Sequence, residues 1–196
     1  MIADRLNFME FEFMKALQED WKPVSRPALF GWLAFYVFFL MYAFSKHGDG
    51  LFIDLVFLPI HEGGHLLFSW LGQTMGVAGG TLLQLGVPLA IASYFLFERQ
   101  LLGTAFAAFF FFENFLQIST YMADARKLEL PLVTVGNADD VGHDWNILFS
   151  QIGILKYDTR IAALVYLLGW LGMIGVVVWL YYQGKKHHPA RTLPSA

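Results

Sequence analysis

Long apolar runs separated by short polar breaks restrict the fold of this chain more than any other feature. They cover residues 28–44, 51–71, 81–97, 101–122 and 161–182. Runs of about 18 or more apolar residues are read as membrane-spanning helices. Charged residues make up 15% of the chain, against about 25% in a soluble domain. A further apolar segment, 146–155, is too short to cross alone. The pattern predicts an all-α, polytopic membrane helix bundle of about five to six transmembrane helices. Pro59 should bend the second run, because proline removes a helical hydrogen bond and crowds the preceding turn. The uncharged segment 72–80, with Gly72, Gly76, Gly79 and Gly80, reads as a glycine-rich connection, and Glu98-Arg99-Gln100 as a tight turn.

Before the first run, Leu6, Met9, Phe13 and Leu17 recur at near-helical spacing among Glu10, Glu12, Lys15 and Glu19. This predicts an N-terminal amphipathic helix within residues 1–26, at the membrane surface or, as the alternative, solvated in the cytosol. Residues 27–183 then form the transmembrane helical domain and 184–196 a polar tail. The N-terminal segment lacks the apolar core and small-residue site of a cleavable signal. Five crossings would put the two ends of the chain on opposite sides. Arg5, Lys15, Lys22, Arg26, Arg126, Lys127, Lys156 and Arg160 would then share the N-terminal side, and Lys46, Arg99, Lys185, Lys186 and Arg191 the other. The excess predicts a cytoplasmic N-terminus in the cell (inner) membrane. The lipid bilayer is thus the first expected partner. A net charge of −3 without a basic stripe argues against nucleic acid, and the absence of cysteine excludes disulfides and thiolate ligands.

The chemistry concentrates in His61-Glu62-Gly63-Gly64-His65, an H-E-x-x-H match inside the second apolar run. Residues i and i+4 of a helix share a face, so both imidazoles can reach one Zn²⁺ at about 2.0–2.1 Å. Glu62 is placed to take a proton from water and deliver it to a leaving amine. Ionisable groups are costly at membrane depth, so two His and one Glu within a turn need a common partner. A metal ion is one; an interhelical hydrogen-bond cluster is the other. The fourth run carries a polar stripe of Glu113, Gln117, Thr120 and Asp124, flanked by Asn114 and Tyr121. Asp124, at its end, is a candidate metal ligand. So are His143 and Asp144 in Gly142-His143-Asp144-Trp145-Asn146, either of which could instead cap a helix or orient a ligand imidazole. The set carried forward is Glu62 as catalytic base and His61, His65, Asp124 and His143 as metal ligands, with Asp124, His143 and Asp144 as alternatives for the third position.

An H-E-x-x-H on a membrane span, followed by a glycine-rich connection and another span, resembles the site-2 protease group of membrane zinc metallopeptidases. The matching stretch is residues 60–96. The resemblance implies that His61 and His65 bind zinc with a distant Asp, and that Glu62 is the general base. It also implies a membrane-protein or peptide substrate. The family's Asp lies in an Asp-Gly pair opening a later span. Here Asp124 precedes Ala125 and Asp144 precedes Trp145, although Asp144 does open an apolar segment, so the chain would be a divergent branch. A non-enzymatic membrane protein with a structural or sensory metal site is the alternative, favoured by four good ligands. Metal transport is a third reading, but the first, third and last runs hold almost no ionisable residues.

Overall fold

The computed structural model describes residues 20–46, 50–131 and 142–186. The all-α expectation holds: these residues form α1 (Arg26–Ser45), α2 (Asp54–Phe68), α3 (Gln73–Phe97), α4 (Leu101–Ala123), α5 (Asp144–Gln151) and α6 (Asp158–Lys186), with 3-10 turns at Ser69–Leu71 and Leu155–Tyr157. The amphipathic helix expected before residue 20 and the histidines of the tail lie outside the described residues.

Local chemistry explains the helix ends. The Ser25 side chain accepts a hydrogen bond from the Ala28 N–H, and Pro27 sits in the first turn, where a missing N–H costs nothing. The turn between α3 and α4 places Arg99 in the left-handed region at φ 53°, and the Gln100 N–H donates to the Phe95 carbonyl at 2.9 Å. The Glu98-Arg99-Gln100 turn is therefore where the sequence puts it.

Four helices, α1, α3, α4 and α6, are long and apolar enough to cross a membrane. The second apolar run is not among them, contrary to its reading as a span. Only Asp54–Phe68 is α-helical there, and 15 residues rise about 22 Å against a hydrocarbon core of about 30 Å. Pro59 lies inside this helix. The segment 72–80 is also no loose connection: Gly72 alone joins the 3-10 turn to α3, and 73–80 are the first turns of α3. Glycine here serves close packing. A Cβ on Gly64 would collide with the Gly79 carbonyl, and one on Gly79 would meet the Gly64 carbonyl oxygen at 2.5 Å. α2 and α3 therefore touch backbone to backbone.

α4 is the central helix. In its most apolar window 56% of residues are buried, against 22% in α1, α3 and α6, so those three turn much of their surface outward. Large apolar side chains such as Phe38 at 67% and Trp70 at 79% exposure face away from the bundle. Phe112, Phe115 and Leu116 of α4 fit against Gly169 and Gly172 of α6. Tyr36 of α1 packs its ring 4.7 Å from that of Phe109. The phenylalanine run at 109–112 is thus split, with Phe109 and Phe110 in the core.

The two ends of the described chain share one end of the bundle. The Lys22 N–H donates to the Arg99 carbonyl at 2.9 Å, the Lys22 ammonium meets Glu98 at 3.2 Å, and Leu29 packs against Gly184. α1 then runs antiparallel to α6 until Phe44 meets Trp170 at 6.4 Å between ring centroids. That contact joins the last turn of α1 to the middle of α6. The end of α2 lies beside the start of α3, where a Cβ on Gly76 would meet Ser69. Among the described residues, four helices of spanning length stand where five to six were expected. Of the described basic residues, Lys22, Arg26, Arg99, Lys185 and Lys186 lie at one end, Arg126, Lys127, Lys156 and Arg160 at the other, and Lys46 directly after α1. Among the described residues the basic side chains are too evenly split to orient the bundle.

Candidate metal centre

α2 presents His61 and His65 one turn apart on the face toward α3, α4 and the start of α5. Their rings stand 4.8 Å apart at 80°. Asp144, the first residue of α5, points one carboxylate oxygen at both: Oδ2 lies 3.0 Å from His61 Nε2 and 3.3 Å from His65 Nε2. His61 and Asp144 are buried and His65 is partly exposed. Each of the three offers one ligand atom, and these atoms lie within 4.8 Å of one another, so the group could hold a metal ion. Ligands at about 2.0–2.1 Å from a tetrahedral zinc stand about 3.3 Å apart, close to the two measured contacts.

The outward nitrogens strengthen this fit. His65 Nδ1 is 2.9 Å from the Gly76 carbonyl oxygen, which can only accept, so Nδ1 carries the proton. His61 Nδ1 is 2.9 Å from Gln84 Oε1. With both Nδ1–H groups engaged, two Nε2 lone pairs and a carboxylate oxygen converge. Three acceptors in a buried space repel one another unless a cation, metal or proton, lies among them. Gly80 makes room for this convergence: a Cβ there would stand 2.5 Å from His61 Nε2 and 2.7 Å from His65 Nε2.

The structure brings neither Asp124 nor His143 into this group. The Asp124 carboxylate accepts the Glu129 and Leu130 N–H groups at 3.0 and 3.1 Å, tying down the chain after α4. His143 caps α5, its Nδ1 accepting the Asn146 N–H at 3.3 Å. Its Nε2 therefore bears the proton and faces Asp124 Oδ2 at 3.5 Å, too far for a formed hydrogen bond. Burial pushes the His143 imidazole below its ordinary value against the opposing pull of Asp124 and Asp144. The Tyr121 ring lies against it at 4.1 Å, and the Asp144 N–H donates to the Tyr121 hydroxyl at 3.2 Å. The His143 cap and the Tyr121 hydroxyl thus set the position of Asp144, the third candidate that the sequence left open.

The polar stripe on α4 also divides. Gln117 and Asn114 turn to Gln84, whose Nε2 donates to them at 2.6 and 2.8 Å. Thr120 Oγ1 donates to its own helix, at the Leu116 carbonyl. Glu113 is fully buried with neither carboxyl oxygen hydrogen-bonded among the described residues. Gln84 has no signal in the sequence beyond being a polar residue in an apolar run, and that signal could have found it.

Glu62, Gln117 and Tyr121 line one cavity of about 760 Å³ together with His61, His65 and Asp144. It reaches from Leu51 and Asp54 at the start of α2 to Gly72 beyond its end. That volume is within the range of about 300–1,000 Å³ typical of ligand sites. Comparison with protein-family models, with curated proteins and with solved structures finds no match for this chain.

Proposed function

We propose that the chain is an integral membrane zinc metallopeptidase that hydrolyses a peptide bond inside the bilayer, as its likeness to the site-2 protease group suggests. The carrying observation is the convergence of His61 Nε2, His65 Nε2 and Asp144 Oδ2, each imidazole having its other nitrogen engaged by a carbonyl. Among the described residues three ligands converge, which leaves one position open, as in catalytic zinc sites, whereas structural sites are closed by four. This count favours catalysis over a structural or sensory metal site. The four long apolar helices and the outward-facing Phe, Leu and Trp side chains support the membrane setting.

Zinc held by these residues would supply Lewis acidity and bring the pKa of water to about 7. The chain's own groups do the rest. Glu62, next to His61 and lining the same cavity, takes a proton from the attacking water and passes it to the departing amine nitrogen. The cavity beside α2 holds the peptide extended, with its carbonyl toward the His–His–Asp group. Leu51, Leu58, Leu66 and Ile118 give the cavity an apolar lining.

The test is turnover by the detergent-purified chain of fluorescein-labelled casein, a loosely folded general substrate, with zinc content measured on the same samples. Wild type should carry about one zinc per chain and cleave. Glu62→Gln should keep the zinc and lose cleavage. Equal cleavage by wild type and Glu62→Gln would sink the mechanism.

A further inference from the structure

The orientation of the Gln84 amide can be settled from a group that has no freedom. The Phe110 carbonyl is backbone and can only accept. Asn114 Nδ2 donates to it at 2.7 Å, so the other end of that amide, Oδ1, is an acceptor. Gln84 Nε2 lies 2.8 Å from Asn114 Oδ1 and 2.6 Å from Gln117 Oε1, and its two N–H bonds satisfy both. Gln84 Oε1 then faces His61 Nδ1 at 2.9 Å as an acceptor, and His61 must supply the proton.

Reversing any link fails. A flipped Gln84 would set its oxygen against Asn114 Oδ1, and a flipped Asn114 would set its oxygen against the Phe110 carbonyl, both within hydrogen-bond distance. Gln84 is 2% exposed and Asn114 fully buried, so water cannot relieve either clash. Gln117 can present either end of its amide, and so cannot set the direction; Asn114 does.

We propose that Gln84, aimed by Asn114, is a positioning residue that fixes His61 as the Nδ1–H tautomer and so reserves its Nε2 lone pair for the metal ion. This rests on the metal reading of the His61–His65–Asp144 group but not on peptide hydrolysis. Free neutral histidine favours the Nε2–H form, so without the relay the ligating nitrogen would carry the proton. His65 needs no such relay, because the Gly76 carbonyl, which is backbone, holds its Nδ1. The same result is reached by a side-chain relay at one ligand and by the main chain at the other.

The tautomer experiment uses the full chain in detergent, metal-free, carrying Asp144→Ala so that no carboxylate competes for an Nε2 proton, with ¹⁵N-labelled histidine rings, at a pH where the imidazoles are neutral. Two-bond ¹H–¹⁵N correlation reads the tautomer of each ring. This parent should show both His61 and His65 as Nδ1–H. With Gln84→Met or Asn114→Leu added, His61 should gain the Nε2–H form while His65, an internal control for folding, keeps its tautomer. With Asp144 in place, either substitution should raise the zinc Kd, read by chelator competition, about 10–100-fold. His61 found as Nε2–H in the Asp144→Ala parent would overturn the proposal. So would variants that leave its tautomer unmoved. Tautomers as expected, with the wild-type chain binding no added zinc, would uphold the relay and remove the metal reading.

Discussion

Replacing Gly80 by alanine should disable the metal group while leaving the bundle folded. The added Cβ would lie 2.5 Å from His61 Nε2, 2.7 Å from His61 Cε1 and 2.7 Å from His65 Nε2, where ordinary contact begins at 3.4 Å. The rings must retreat by 0.7–0.9 Å, and metal–ligand distances tolerate only about 0.2 Å. Neither ring can swing freely, since Gln84 and Gly76 hold the two Nδ1 atoms at 2.9 Å. The backbone gains: alanine in a helix interior is favoured over glycine by about 1 kcal/mol. Zinc affinity should therefore fall at least tenfold, about 1.4 kcal/mol, with no loss of thermal midpoint in the metal-free protein. Gly86→Ala is the control, because nothing lies within 4 Å of a Cβ there. The assay is chelator competition for zinc beside thermal unfolding followed by circular dichroism. Wild-type zinc affinity in Gly80→Ala would refute the placement of both Nε2 atoms. A collapse in the metal-free midpoint would show instead that Gly80 serves packing, as Gly64 and Gly79 do.

Asp144→Ala should abolish zinc binding. Asp124→Ala should keep about one zinc per chain while costing about 1–2 kcal/mol of stability through the freed Glu129 and Leu130 N–H groups, so zinc lost from Asp124→Ala and retained in Asp144→Ala would reverse the ligand assignment. Glu113 is buried with both carboxyl oxygens unbonded, so Glu113→Leu should raise stability by about 1–3 kcal/mol; a lowered midpoint would mean that the carboxyl has a partner. The chain has no cysteine, so single cysteines at Lys22, Lys127 and Lys186 can be labelled from one side of a sealed vesicle with an impermeant thiol reagent. Positions 22 and 186 should react together and 127 from the opposite face, and separate sides for 22 and 186 would restore the five-crossing topology.

What the sequence made legible follows from the range of each interaction. Helix content is local, and the apolar runs place α1, α3, α4 and α6 to within a few residues except at the start of α3. That start was missed because glycines read as a loop when taken alone. The contact that makes them helical is across space, with Gly79 and Gly80 pressed against Gly64 and the two imidazoles. The H-E-x-x-H pair was legible for the same reason that helices are, since i and i+4 share a face. The third ligand was not, because no periodicity links residue 144 to residue 61.

Asp124 and Asp144 look alike as sequence, each an acid at the edge of an apolar segment, and the difference between them is how their backbone neighbours are satisfied. The turn that follows α4 has backbone N–H groups with no helical acceptor, and the Asp124 carboxylate is the acceptor within reach for Glu129 and Leu130. At the start of α5 the capping role falls to His143, which frees the Asp144 side chain to reach across to α2. A helix N-terminus needs one cap, and with His143 filling it the neighbouring carboxylate is available for other chemistry. An acid directly after a capping residue at a helix start is thus the better ligand candidate than an acid at a helix C-terminus followed by a turn. The positive-inside argument depended on α2 being a full crossing, and the helix that carries both histidines has 15 residues. The histidine face of this short helix borders the cavity that α3 and α4 also line.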